Sequence, residues 1–264
     1  MSEFQAHELV TGLLEPLRHW LPEQRWFGAK GHEITEVRLV AATTVIEGDP
    51  ALVQALVQVG GGDPYQLWIG VREHPGDGLL HAVIAPAHGR QAYDAPHDSE
   101  LMGRLLDLFV DRADHGGLRF RTEPDAEVSP GLRARPVGVE QSNTSVIYGQ
   151  DYILKLYRRP SAGNSRDLDL HRALHEAGST HIAEPLGALY GSLPDGPVAL
   201  AFLQRFLPDG VEGWATATAS VRDLLAEGDL HADEVGGDFA ADSERLGAAT
   251  ASVHSDLAKV LPTE

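Results

Sequence analysis

The stretch covering residues 140–157 constrains the fold most, because its pattern predicts two strands joined by a tight turn. Residues 145–148 and 152–157 combine β-branched, aromatic and alternating apolar side chains. Gly149-Gln150 between them suits a hairpin turn with glycine at its first central position. Lys155 lies within the second strand, so its ammonium group projects from a rigid element. A turn of small polar residues precedes the hairpin.

Two interpretations fit Lys155. A polar turn followed by a hairpin with one lysine is how a kinase small lobe covers nucleotide phosphates and brings a cation to them. A lysine in an amphipathic strand is also the ordinary solvated face of a sheet. The turn lacks the glycine-rich pattern of protein kinases, so the rest of the chain has to distinguish the two interpretations.

Composition limits the classes of partner. The 264 residues, 42% of them hydrophobic, can fill the cores of one or two domains. Thirty-nine acidic against twenty-one basic residues give a formal charge of −18, which opposes binding to a phosphate backbone, so no nucleic-acid partner is expected. The lack of cysteine excludes disulfides and thiolate metal sites. The sequence has no apolar run of the ~20 residues that a membrane span needs and no secretion signal, so we expect a cytoplasmic protein without a membrane partner.

The N-terminal half changes from helix to strands. Apolar residues at helical spacing predict an opening helix that ends at Leu21-Pro22. Segments separated by Gly, Asp and Pro then predict an antiparallel meander of four strands, at residues 37–42, 51–59, 65–71 and 79–85. A helix around residues 101–109 follows. The polar, proline-punctuated section 116–136 predicts a seam between an accessory domain and the next domain.

The hairpin is followed by a helix and a buried strand. Apolar spacing over residues 170–177 predicts the helix, with Gly178 as its left-handed cap. Asp169 is the candidate acid to pair with the strand lysine, although the helix dipole alone also favours an acid there. Residues 197–207 predict a strand that leads into helical segments, which is where kinases place the hinge beside adenine.

Several runs together resemble actinobacterial maltokinases. The sequence Glu-Gln-Ser-Asn-Thr-Ser-Val-Ile at 140–147, then Ile153-Leu154-Lys155 and an arginine pair, is similar to the small lobe of that family. The likeness continues at 213–224, at 233–239 and at Arg245-Leu246-Gly247. Leu21-Pro22, Gln24-Arg25-Trp26 and Gly28 resemble the signature of the family's N-terminal cap domain.

The resemblance implies both an activity and a site. Maltokinases use ATP to phosphorylate maltose at its anomeric hydroxyl, which gives maltose 1-phosphate for α-glucan (glycogen) synthesis, on a bilobal fold like that of aminoglycoside phosphotransferases. By resemblance, Lys155 contacts the ATP phosphates, and its ion-pair partner is Asp169, where relatives carry glutamate. The remaining nucleotide contacts implied are the covering loop and the residues beside adenine: Ser142, Asn143, Thr144, Ser145, Gln204 and Phe206.

The catalytic motifs of the family are expected beyond residue 264. Phosphoryl transfer needs an aspartate for the attacking hydroxyl and further acids for Mg²⁺. The family supplies them from a His-Gly-Asp-x-His loop and a later Asp-Phe motif, so we expect no catalytic or metal residue in this chain. Asp229 and Asp238 lie in sequences that imitate these motifs, but the first histidine is missing and their spacing is too short. We interpret them as parts of acidic loops.

We therefore predict an α+β fold in three parts. Residues 1–115 form a cap domain with an antiparallel sheet and helices. Residues 116–207 form a kinase-like small lobe with an antiparallel sheet, the ATP-binding hairpin, one helix and the hinge. Residues 208–264 form the first helices of an incomplete large lobe. The predicted function is that of the N-terminal part of a maltokinase, inactive by itself. Its expected cofactors are ATP and Mg²⁺, and its expected partners are maltose or a similar sugar and a maltose- or trehalose-processing enzyme.

Two alternatives remain open. The chain can be a non-catalytic module that binds nucleotide or serves for docking. It can also belong to a kinase of the same fold that acts on another sugar or aminosugar.

Overall fold

The structure is a computed structural model, and its chain divides into two compact units. It describes residues 3–28, 34–137, 142–163, 165–226, 231 and 239–261. The first unit comprises residues 1–169 and 185–206, and the second comprises residues 170–184 and 207–264. Two antiparallel sheets lie in the first unit, so the predicted α+β class is confirmed.

The described residues include five α-helices, twelve strands and three short 3₁₀ helices. The helices are α1 (Glu3–Trp20), α2 (Ser99–Val110), α3 (Arg166–Glu176), α4 (Gly213–Ala226) and α5 (Ala240–Val260). The strands are β1 (Val37–Ile46), β2 (Ala51–Val59), β3 (Pro64–Arg72), β4 (Val83–Ala87), β5 (Arg90–Asp94), β6 (Asp114–His115), β7 (Leu118–Thr122), β8 (Ala134–Pro136), β9 (Asn143–Tyr148), β10 (Tyr152–Tyr157), β11 (Pro185–Leu193) and β12 (Gly196–Arg205).

The first sheet has the order β1-β2-β3-β5-β4, and α1 packs its apolar stripe on one face. The first three strands form the predicted meander. The fourth predicted strand, 79–85, is wrong in its first half, because Asp77–Ala82 form a 3₁₀ helix and β4 begins only at Val83. The short strand β5 was not predicted, and it lies between β3 and β4.

The second sheet has the order β6-β7-β11-β12-β10-β9-β8. The predicted hairpin is confirmed, but its turn has three residues, 149–151, and Gly149 adopts a left-handed φ of 57°. The section 116–136 contributes β7 and β8 to this sheet, so its polar composition conceals two short strands. The domain boundaries at 115 and 207 stay predictions.

One hydrophobic core joins the two sheets. It combines the inner face of the first sheet, the apolar face of α2 and the inner face of the second sheet. Representative buried residues from these three layers are Leu56, Trp68, Leu105, Phe109, Leu154 and Leu200. Because each layer covers apolar surface of the others, burial stabilises all three together.

The second unit is helical in its described part. Its α4 and α5 match the predicted helical segments, and Gly178 has the predicted left-handed conformation with a φ of 72°. Neither α4 nor α5 has a buried residue, and Trp214 is 76% exposed. Among the helices described, none is both long and apolar enough to cross a membrane.

Candidate functional site

Lys155 lies on the face of the second sheet that Asp167 and Leu168, in the first turn of α3, contact. It is directly opposite Ser145 of β9 and Phe202 of β12, and directly opposed residues of antiparallel strands share a face. The Lys155 Nζ atom lies 5.9 Å from the centroid of the Phe202 ring. Its side chain is 23% exposed, so the cation is held by its neighbours and remains accessible.

The acid that holds Lys155 is Asp167. Its Oδ2 atom accepts a hydrogen bond of 3.0 Å from Nζ, and it belongs to the first turn of α3. The choice of Asp169 as the lysine's partner was therefore wrong: Asp169 is exposed on the same turn. Positions two apart point about 200° away from each other on a helix, so the two acids cannot face one strand. The buried Leu168 between them anchors this turn to the sheet.

The polar residues ahead of Lys155 divide between two faces. Ser142 is exposed in a bend, whereas β9 starts at Asn143, two residues earlier than predicted. Asn143 and Ser145 share the face of Lys155. Thr144 lies on the opposite face, where its hydroxyl accepts a 2.8 Å hydrogen bond from Arg158 Nε. The Thr144 side chain thus points away from Lys155, and the role of residues 142–145 as the phosphate-covering loop stays a prediction.

Gln204 and Phe206 lie at the end of β12. Gln204 is opposite Ile153, which places it on the face of Lys155. Its Oε1 atom is buried, and within the described residues it has no hydrogen-bond partner. The Phe206 N–H donates to the carbonyl of Asp151 at 2.8 Å, so the ladder continues past the last strand residue.

A buried apolar cluster lies beside these polar groups. Its buried members are Tyr157, Leu168, Ala188, Ala199 and Phe202. Burial raises the pKa of the Tyr157 hydroxyl to about 12, so this residue stays neutral at physiological pH. A part-exposed cation and an unpaired amide acceptor on one face suit a ligand that carries both anionic groups and a hydrogen-bond donor.

Several predicted features lie outside the described residues. They are Glu140 and Gln141 ahead of the hairpin, together with Asp229 and Asp238. Within the described part of the chain, no group of three His, Asp or Glu residues is placed to hold a metal ion.

The sequence interpretation missed a buried charge behind the hairpin. Arg158, the first of the arginine pair after the lysine strand, is 0% exposed and donates from Nη2 to both carboxylate oxygens of Asp94, at 3.0 and 2.9 Å. Its guanidinium group lies 4.3 Å from the centroid of the Trp26 ring. The sequence signal for this buried arginine is its position directly after an apolar strand. The partner acid, Asp94, is 64 positions away, so no local pattern links the two.

Comparisons with known proteins agree with this architecture. Residues 20–98 match the family described as the maltokinase N-terminal cap domain, so the chain has a maltokinase-like N-terminal region. A glucosamine kinase from Streptacidiphilus jiangxiensis is 33% identical over 193 residues, which are 71% of this chain and 37% of that protein.

Solved structures of glucosamine kinase share the fold. One, in complex with glucosamine, ADP and inorganic phosphate, has a TM-score of 0.51 and 23% identity, and the match covers 93% of this chain and 51% of that chain. A second crystal form has a TM-score of 0.51 and 24% identity, over 88% of this chain and 48% of that one. The chain thus spans about half the length of these structures.

Proposed function

We propose that this chain is the nucleotide-binding part of an ATP-dependent maltokinase, whose complete form makes maltose 1-phosphate and ADP from maltose and ATP. The observation that carries the proposal is the Lys155–Asp167 ion pair. A strand lysine held by an acid of the following helix is how kinases place a cation on nucleotide phosphates. The match of residues 20–98 to the maltokinase cap domain supports the maltokinase type.

Each residue on the face of Lys155 has a role in this proposal. Lys155 binds the phosphates, and Asp167 keeps its ammonium group in place. Ser142, Asn143 and Ser145 line the phosphate end. At the other end, the adenine ring lies by Phe206, and its amino group donates to the buried amide oxygen of Gln204. That contact would satisfy an acceptor that is costly to leave unpaired.

We propose that the catalytic aspartate and the Mg²⁺ ligands come from sequence beyond residue 264. The reason is that the His-Gly-Asp-x-His loop of the resembled family has no complete counterpart in the chain. The 264-residue chain would then bind ATP without transferring its γ-phosphoryl group. We also propose, on sequence resemblance alone, a cytoplasmic location and association with a maltose- or trehalose-processing enzyme.

A second candidate is phosphorylation of an aminosugar. It is favoured by the 33% identity to a glucosamine kinase. The acceptor is decided by incubating the longest protein that the gene encodes with ATP, Mg²⁺ and either maltose or glucosamine, and following new sugar phosphates by phosphorus NMR. A product from maltose alone supports the first proposal, and a product from glucosamine alone replaces it with the second. Steady product from the 264-residue chain would contradict the proposal that it transfers no phosphate.

ATP binding to the 264-residue chain tests the nucleotide site directly. Lys155→Met should weaken the affinity measured by titration calorimetry by roughly ten- to a hundredfold, because a charge-assisted contact contributes about 1.5–3 kcal/mol. Lys259→Met is the matched control, since Lys259 is an exposed lysine that also pairs with an aspartate. Equal affinities for wild type and Lys155→Met, or no binding by the wild type, would refute the nucleotide site.

A further inference from the structure

The strand that carries Lys155 is anchored at its end by Arg158. Lys155 and Arg158 lie on opposite faces of the sheet, because Lys155 is opposite Ser145 of β9, whereas Arg158 binds the adjacent Thr144, whose side chain is on the other face. Lys155 faces Asp167, whereas Arg158 enters the interior and binds Asp94 at the end of β5. One short segment therefore connects the first sheet to the candidate phosphate contact.

Arg158 also binds its own hairpin. Its Nε atom donates to the Thr144 hydroxyl at 2.8 Å, while Nη2 donates to both Asp94 oxygens. The planar guanidinium group fixes these donors in one plane, and Trp26 covers its face. A fully buried cation is stable only when its acid partner is in place. The Arg158 side chain therefore has no other conformation of similar energy in which water replaces Asp94.

Gln66 makes a second connection, to the end of β10 and to the middle of β12. Its backbone N–H donates to the carbonyl of Arg158 at 2.8 Å. Its side-chain amide donates to the carbonyls of Tyr157 and Leu200, each at 2.9 Å. Residues of β3 and β5 thereby hold the end of β10 and the middle of the neighbouring β12.

We propose that Arg158 is a positioning residue for nucleotide binding, and that the first sheet contributes to the nucleotide site because its Asp94 holds Arg158. The inference rests on the proposed function. Asp94 and Arg158 do not touch the ligand; they set where Lys155 and the start of β9 lie. Their loss should weaken ATP binding while the fold persists.

Asp94→Asn tests this proposal, with Asp63→Asn as the matched control. Asp63 forms an exposed ion pair with Arg159, the residue next to Arg158, so the control removes the same charge beside the same strand. Asp94→Glu keeps the carboxylate and serves as the conservative variant. ATP affinity is measured by calorimetry, and amide hydrogen exchange of residues 143–157 is measured without nucleotide.

The positioning role predicts a specific pattern. Asp94→Asn should weaken ATP binding by about fivefold or more, or roughly 1 kcal/mol, and should speed exchange in the hairpin more than in β1 to β3. Asp94→Glu should recover part of both effects, and Asp63→Asn should show neither. ATP affinity within twofold of wild type, or faster exchange spread evenly over both sheets, would overturn the proposal and leave Arg158 as a core-stabilising residue only.

Two further outcomes are distinguishable. Absence of ATP binding by the wild type refutes the proposed function, and the exchange measurement then decides by itself whether Arg158 anchors the hairpin. If Asp94→Asn does not fold, Arg158→Lys gives the same two readouts, because lysine keeps the charge and loses the two-pronged geometry. Unchanged affinity and exchange in Arg158→Lys would overturn the proposal equally.

Discussion

Asp98→Ala should destabilise the first unit more than an ordinary helix-cap substitution. Asp98 is the N-cap of α2 and is 3% exposed. Its Oδ1 atom accepts from the backbone of Glu100 and Leu101, at 2.9 and 3.2 Å. Its Oδ2 atom accepts from the Tyr93 hydroxyl at 2.6 Å and from Arg72 Nε at 3.0 Å. One carboxylate thus serves four donors in the same buried cluster.

The expected cost follows from these contacts. Loss of the cap costs about 1 kcal/mol, and a buried Tyr93 hydroxyl without its acceptor costs ~1–3 kcal/mol. The lost hydrogen bond from Arg72 costs less, roughly 1 kcal/mol, because Arg72 keeps its ion pair with Glu100. We therefore expect Asp98→Ala to lower the free energy of unfolding by about 3–5 kcal/mol. Asp98→Asn should cost only ~1–2 kcal/mol, since asparagine caps a helix as well as aspartate does.

The same cluster gives a dependence on pH. Burial raises the pKa of Asp98, but hydrogen bonds from Tyr93 and Arg72 outweigh it, so the pKa lies below its ordinary value of 3.8. A lowered carboxylate pKa stabilises the folded state above that ordinary value, and the stabilisation is lost as the pH falls through the folded-state value. The difference in stability between wild type and Asp98→Asn should be constant at neutral pH and should shrink below about pH 4.

Urea unfolding followed by tryptophan fluorescence measures these differences, because Trp68 is buried in the core that α2 covers. Glu100→Gln is the control, since it removes an exposed carboxylate that also binds Arg72. A cost below ~1 kcal/mol for Asp98→Ala would refute the reasoning, as would equal costs for the alanine and asparagine variants.

Three further predictions concern buried contacts. His97→Gln should make the free energy of unfolding fall less steeply from pH 7 to pH 5. Burial lowers the pKa of His97 from 6.5, so the unfolded chain takes up the proton at a higher pH than the folded protein does. Parallel pH profiles for wild type and variant would contradict this. Gly187→Ala should destabilise by about 3 kcal/mol or more in urea unfolding, because a Cβ atom would collide with the backbone carbonyl of Arg121; an unchanged midpoint would contradict it. Asp94→Leu should lower the free energy of unfolding by ~3–5 kcal/mol, because it leaves Arg158 unpaired. The double variant Asp94→Leu/Arg158→Met should recover most of that loss. Additive costs in the double-mutant cycle would show that the pair is not coupled.

Local pattern predicted the elements that carry their own signal. The hairpin, its lysine strand 152–157 and the terminal helices follow from alternation and helical spacing, and the structure contains each of them. β5, β7 and β8 are short and polar, and pairing within a sheet, rather than their own sequence, makes them strands.

The candidate site was predictable only in part. Lys155 follows from its strand, but the choice between Asp167 and Asp169 depends on the phase of α3, which the apolar pattern did not fix. Arg158 and Asp94 meet across 64 positions of sequence, and no local pattern encodes such a pair. The lysine's role in binding nucleotide stays a prediction.

The core shared by the two sheets bears on how such proteins can be recombined. A splice at residue 116 would separate Trp68 from Leu154 and would leave Arg158 facing an interior without its acid. A cap grafted from a relative must therefore bring an acid at the place of Asp94 and an amide at the place of Gln66, besides an apolar face of the right shape. Chimeras that respect this pairing should express as intact proteins, and those that ignore it should be recovered as aggregates.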